Sequence, residues 1–212
     1  MSQFSTFLFD LDGTLINHFA AIQRAHTHTL LQLGLPAPTA EQVLAAVGGG
    51  LENAIAKLAG PARVAEALAI YRPYWNATML DDVVLLPGAR ELLTRLRAEG
   101  AKLAVLSNKH GPSSRLVCDQ LGLTPLLDGV FGATDTPWLK PQREFTAHAL
   151  TKIGAEAAGA VLVGDSTYDI ETAKNAGLAS WCVATGTHTA AELTAARAER
   201  VFADLAGLSA AL

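Results

Sequence analysis

Short runs of the sequence are apolar nearly end to end: Thr6 to Phe9, Lys102 to Ser107, Gly129 to Ala133, Ala160 to Val163 and Ser180 to Ala184, with a weaker one at Arg200 to Ala203. A strand with one face in water alternates apolar and polar residues. Strands without a polar face must be covered on both sides, as parallel strands are. Between the runs lie helical stripes with recognisable ends. Pro87-Gly88 precedes Leu92, Leu93 and Leu96, and Gly100, Gly122, Gly154 and Gly177 stand where helices should stop. Strand alternating with helix predicts an α/β fold, a doubly wound parallel sheet with helices on both faces.

One stretch breaks the alternation. From Ile16 to Asp82 there is no convincing strand but several helical stripes: Phe19, Ile22, Leu30 and Leu33; Val43, Leu44 and Val47; Val64, Leu68, Tyr71 and Trp75. Thr39 and Gln42 are spaced as a capping box, and Pro73 is expected to kink the last helix. The reading is a core formed by residues 1–15 and 83–212, carrying a helical insert, residues 16–82. In that insert Tyr71, Tyr74 and Trp75 read as its own core and His26 as a packed histidine.

The chain has 212 residues, half of them apolar, and a net charge of -4 with scattered basic residues. That gives no field for a nucleic-acid backbone. No stretch approaches the ~20 apolar residues of a membrane span, and the start from Met1 to Phe7 lacks a leader pattern. Cys118 and Cys182 have no metal or redox spacing and read as reduced thiols. A cytoplasmic protein without membrane or nucleic-acid partners is expected, either a monomer or a homodimer.

In open α/β sheets ligands bind beyond the carboxyl ends of the strands. Here those ends carry Asp10-Leu11-Asp12-Gly13-Thr14, then Ser107-Asn108-Lys109, then Lys140-Pro141, then Gly164-Asp165-Ser166-Thr167-Tyr168-Asp169. Two carboxylates ~4 Å apart repel by roughly 4 kcal/mol at an effective dielectric of 20. Asp10, Asp12, Asp165 and Asp169 could therefore converge only around a cation, and oxygen ligands with nothing softer nearby favour magnesium. Lys140 offers a positive charge to a phosphate, with Lys109 as its rival, and Ser107 offers neutral donors. His18 and His110 follow these groups and read as rim positions.

Taken in this order, with a helical insert after the first, the four segments resemble the motifs of haloacid dehalogenase superfamily phosphatases. Leu33 to Pro36 and Val47 to Gly50 resemble cap segments of the phosphoglycolate phosphatase-like group. The resemblance implies that Asp10 attacks phosphorus and is phosphorylated, while Asp12 protonates the leaving oxygen and then activates water. It also implies that Mg2+ is held by the Asp10 side chain, the Asp12 backbone carbonyl and Asp165, with Asp169 either a further ligand or a partner of the ligands, and that Ser107, Asn108 and Lys140 bind the phosphoryl group. The expected substrate is a small phosphorylated metabolite, phosphoglycolate first. A phosphosugar mutase is the alternative within the superfamily, and a non-enzymatic phospho-receiver or binding module is a remote one. Two features depart from the pattern: Asn17 and His18 stand where many relatives have an acid and a serine, and the loop from Lys140 to Glu144 lacks a second proline.

Overall fold

The structure, a computed structural model, describes residues 4–212, so the first three residues of the stretch read for a leader lie outside it. The chain runs through β1 (Thr6–Phe9), β2 (Ile16–Asn17), helices α1 (Phe19–Gln32), α2 (Ala40–Ala46), α3 (Leu51–Ala59) and α4 (Val64–Thr78), and β3 (Val84–Leu85). It continues through α5 (Ala89–Ala98), β4 (Lys102–His110), α6 (Gly111–Gln120), β5 (Gly129–Ala133), α7 (Arg143–Lys152) and β6 (Ala160–Gly164). The last elements are α8 (Thr167–Ala176), β7 (Ala179–Val183), α9 (Ala190–Ala195), β8 (Arg200–Phe202) and α10 (Leu205–Ala210).

The apolar runs form one six-stranded sheet in the order β5-β4-β1-β6-β7-β8, with every pairing parallel. Side chains alternate between its faces. Phe7 and Phe9 join Leu103, Val105, Val161 and Val163 in a cluster closed by α5, α6 and α10, while Leu8 joins Ala104, Leu106 and Leu162 beneath Phe145 and Ala149 of α7. Burial on both faces is why these strands have no polar side. Gly177 ends α8 in the left-handed conformation, and Gly100, Gly122 and Gly154 also have positive φ just beyond helices, as expected of such stops.

The segment from Ile16 to Asp82, read as strand-free, does begin with a strand. β2 pairs antiparallel with β3, Ile16 opposite Leu85 and Asn17 opposite Val84, so the chain leaving for the helices is stitched to the chain returning. Two residues are too few for a periodic pattern. The capping box of Thr39 and Gln42 is present, and α4 continues through Pro73 without interruption. Helices α1 to α4 bury their own cluster, including Ile22, Ala25, Val43, Ile55, Tyr71 and Trp75. Among the described residues no helix is long and apolar enough to cross a membrane. Both cysteines are free and buried, and burial pushes their thiols up, which leaves them unreactive.

Leu8 is fully buried at the middle of the sheet, paired in register with Ala104 and Leu162. Leu8→Ala should cost about 2–5 kcal/mol, read from the midpoint of urea unfolding, because close-packed neighbours cannot fill the void. A cost under about 1 kcal/mol would show that the site collapses freely.

Candidate active site

Strand order explains why distant acids meet. β4, β1 and β6 are neighbours, and neighbouring strands lie about 4.8 Å apart. Phe9 pairs with both Val105 and Val163, so Asp10, Ser107 and Asp165 all emerge within two residues of the same level. Asp10, Asp165 and Asp169 are buried, and one carboxylate oxygen of each lies within 4.8 Å of the others. Asp165 Oδ2 accepts from the backbone N–H and hydroxyl of Thr187 at 2.6 and 2.9 Å, and Oδ1 faces the Thr14 hydroxyl at 3.4 Å. A Cβ at position 186 would sit 2.0 Å from Asp165 Oδ2, so only glycine fits there.

Burial, followed by the charges of Asp10 and Asp169, pushes the Asp165 carboxyl up to about 8. Burial raises Asp10 as well, although Lys140 partly offsets it. Lys140 Nζ stands 2.8 Å from Asp10 Oδ1 and 2.7 Å from Asp169 Oδ1. The second is a well-directed hydrogen bond and the first an ion pair, so one ammonium serves two buried carboxylates. Three acids sharing one ammonium, with ligands that are all oxygens, fit a hard divalent cation.

Asp169 has its oxygens in use. Oδ1 takes Lys140, and Oδ2 accepts from Ser166 N–H at 3.1 Å and Ser166 Oγ at 2.6 Å in the capping box that opens α8. Asp12 is not a member of this cluster, and its side chain is engaged elsewhere. Its oxygens accept from Lys109 Nζ at 3.1 and 3.0 Å, and His18 Nδ1 lies 3.4 Å from Oδ1. Burial would raise the Asp12 carboxyl, but Lys109 and His18 outweigh it and hold the group well below the usual carboxylate range. His18 Nε2 donates to the Met79 carbonyl at 2.6 Å, which ties Asp12 to the end of α4.

Ser107 is buried, and its Oγ accepts from Lys109 N–H at 3.3 Å. The Asn108 side chain grips Lys140 from both sides, its Oδ1 accepting from Lys140 N–H at 2.8 Å and its Nδ2 donating to the Lys140 carbonyl at 3.0 Å. Nδ2 also reaches the Gly48 carbonyl across the helical insert at 3.0 Å. The side chain of Asn108 is thus committed to positioning Lys140. Beside it the glycine run meets α8, where a Cβ at position 49 would lie 2.7 Å from the Tyr168 hydroxyl.

Above these groups is a cavity of about 320 Å³. Asp10, Asp12, Ser107, Asn108, Lys140 and Asp165 line it together, and Asp169 stands behind them. Thr187, Ser166, His18 and the pairing of Lys109 with Asp12 were not read from the sequence as parts of the site. Thr187 follows β7, and a fifth strand end inspected like the other four would have drawn attention to it.

Comparisons with known proteins agree with this arrangement. The haloacid dehalogenase-like hydrolase family description matches residues 7–183. Probable phosphatase IndB of Dickeya dadantii is 33% identical over 97% of this chain and 93% of its own length. Phosphoglycolate phosphatase of Caulobacter vibrioides is 33% identical over 86% of this chain and 80% of its own. Among solved structures, a haloacid dehalogenase-like hydrolase family protein from Streptococcus pneumoniae superposes with a TM-score of 0.90 at 25% identity, covering 100% of this chain and 99% of that one. A family match over most of the chain, together with a third of all residues shared along nearly its whole length, means that the protein belongs to the haloacid dehalogenase-like hydrolases and is a phosphatase of that family.

Proposed function

We propose that the protein hydrolyses small phosphate monoesters with Mg2+, through an aspartyl-phosphate formed on Asp10. The observation that carries this reading is the acid cluster at the floor of the cavity, where the buried carboxylates of Asp10, Asp165 and Asp169 meet and Lys140 pairs with Asp10 and Asp169. Asp10, Asp165 and the Asp12 backbone carbonyl would hold the ion, and Asp169 would act by fixing Lys140. When bound, the ion would offset phosphoryl charge and lower the Asp10 carboxyl.

An Asp10 carboxylate oxygen attacks phosphorus and the bond to the leaving oxygen breaks, with Asp12 giving that oxygen a proton. Water then attacks the aspartyl-phosphate, Asp12 takes its proton, and inorganic phosphate leaves with Asp10 restored. Ser107, Lys140 and the backbone N–H groups near Asn108 steady the phosphoryl oxygens. In the free enzyme Asp12 is ionised beside Lys109. An arriving phosphate ester raises its proton affinity and competes for that lysine, so Asp12 takes up a proton from solvent, gives it to the leaving oxygen, and returns to solvent the proton it later takes from the attacking water. Residues 16–82 are read as a cap that excludes bulk water, with the stitched crossing at β2 and β3 as its hinge. Phosphoglycolate, named for the Caulobacter relative, is the reference substrate.

Asp10→Asn should fold normally, by circular dichroism, yet release phosphate at least about 10³-fold more slowly than wild type. Wild-type turnover by this variant would refute the nucleophile.

A second expectation concerns pH and metal. A carboxyl raised from 3.8 to about 8 in the folded state stabilises fully below its unfolded value and loses that contribution as pH rises through 8. Asp12, shifted the other way, contributes evenly across this window. Chelator-treated protein should therefore melt at a lower temperature at pH 8 than at pH 5. Saturating Mg2+ should recover about 5–10 °C at pH 8, the equivalent of ~2–3 kcal/mol of linkage. Asp165→Asn should flatten the pH dependence and remove most of the Mg2+ response, and an undiminished response would exclude Asp165 as a ligand.

A further inference from the structure

Beyond the phosphoryl site the cavity extends among the helices of the insert, where Ile22, Leu51, Ala54, Tyr71 and Trp75 line it. His26 of α1 shares this lining while only 1% of its surface is exposed, and its Nδ1 has no hydrogen-bond partner. It stacks at a tilt against Tyr71, with ring centroids 4.9 Å apart, and Tyr71 in turn stacks on Trp75 at 5.8 Å. A buried polar atom left unpaired costs about 1–3 kcal/mol, so a histidine serving only as packing is a poor choice here. Beside a cavity, the missing partner is a group that enters it.

Charge narrows what that group carries. Lys109 is occupied by both Asp12 oxygens, Arg72 pairs with Glu52 at 3.1 Å, and burial lowers His26 to about 4, so it is neutral at working pH. Ile22, Ala54, Tyr71 and Trp75, which line the cavity with His26, carry no charge, so a leaving-group carboxylate set against them would lose hydration without gaining a cation. The cavity is also far roomier than a glycolyl group needs.

We propose that His26, with the rings of Tyr71 and Trp75, forms a subsite for an uncharged leaving group that has a flat apolar body and a hydrogen-bonding group of its own. Phosphomonoesters with uncharged leaving groups of this kind, rather than phosphoglycolate, are then the preferred substrates. The inference rests on the phosphatase reading and specifies its substrate class.

Phosphate release by the full-length protein with Mg2+ tests it on three esters: phosphoglycolate, 2-phenylethyl phosphate and 2-(4-hydroxyphenyl)ethyl phosphate. The hydroxyphenyl ester should exceed phosphoglycolate in kcat/KM by about tenfold or more. His26→Leu should reduce the advantage of the hydroxyphenyl over the phenyl ester about fivefold, mostly through KM, and His26→Gln should recover most of it. The melting temperature of His26→Leu should equal or exceed that of wild type, since an unpaired polar group has been removed. The subsite fails if phosphoglycolate is preferred, if both aromatic esters suffer equally, or if His26→Leu loses stability as a structural histidine would. No Mg2+-dependent release from any ester, acetyl phosphate included, would remove the phosphatase reading and this inference with it.

Discussion

The Lys140 ammonium, set between Asp10 and Asp169, allows three acids to be buried together, Asp10 and Asp165 at the ends of β1 and β6 and Asp169 in the first turn of α8. Burial alone would strip its charge, but the two carboxylates raise its pKa instead. Its position is fixed indirectly. Asn108 holds the Lys140 backbone by both N–H and carbonyl, and Asp169 is held by the Ser166 capping box. A single cation for three acids leaves a negative surplus, and the sheet order that brings β4, β1 and β6 side by side is what concentrates it.

The helical insert belongs to the same electrostatic system. Lys109 stands 4.5 Å from the centre of the Trp75 ring while binding Asp12, and His18 spans Asp12 and the Met79 carbonyl. Trp75 also donates to Ser113 Oγ of α6 at 3.3 Å. Any movement of the insert that shifts α4 must alter what surrounds the Asp12 carboxylate. On the proposed mechanism this ties proton transfer to cap closure through particular contacts.

Much of this was legible in the sequence because it is local. Apolar runs, glycine stops, the Thr39 capping box and the polar residues at strand ends all follow from short-range pattern, and the six strands fall close to where they were read. What escaped depends on contacts between distant segments. His18 reads as a rim residue from its neighbours, yet it is buried and wedged against Met79 and Asp12. Lys109 and Lys140 are alike as candidates, and only the folded geometry gives one to Asp12 and the other to Asp10 and Asp169. His26 reads as packing because the helical stripe that buries it does not reveal that a cavity adjoins.

Asp10 and Asp12 lie two residues apart and are driven in opposite directions, the first above the ordinary carboxylate range and the second below it. Their surroundings cause the split: burial raises Asp10, Lys140 only partly offsets it and the Asp169 charge adds to it, whereas Asp12 faces Lys109 and His18. An acid raised by burial becomes a better nucleophile as further positive charge reaches it. An acid lowered by a lysine waits ionised until a phosphate draws that lysine off. On the proposed mechanism the dependence on a divalent cation is therefore set by the electrostatics of the apoprotein. The same division of environments gives two chemically identical side chains different tasks.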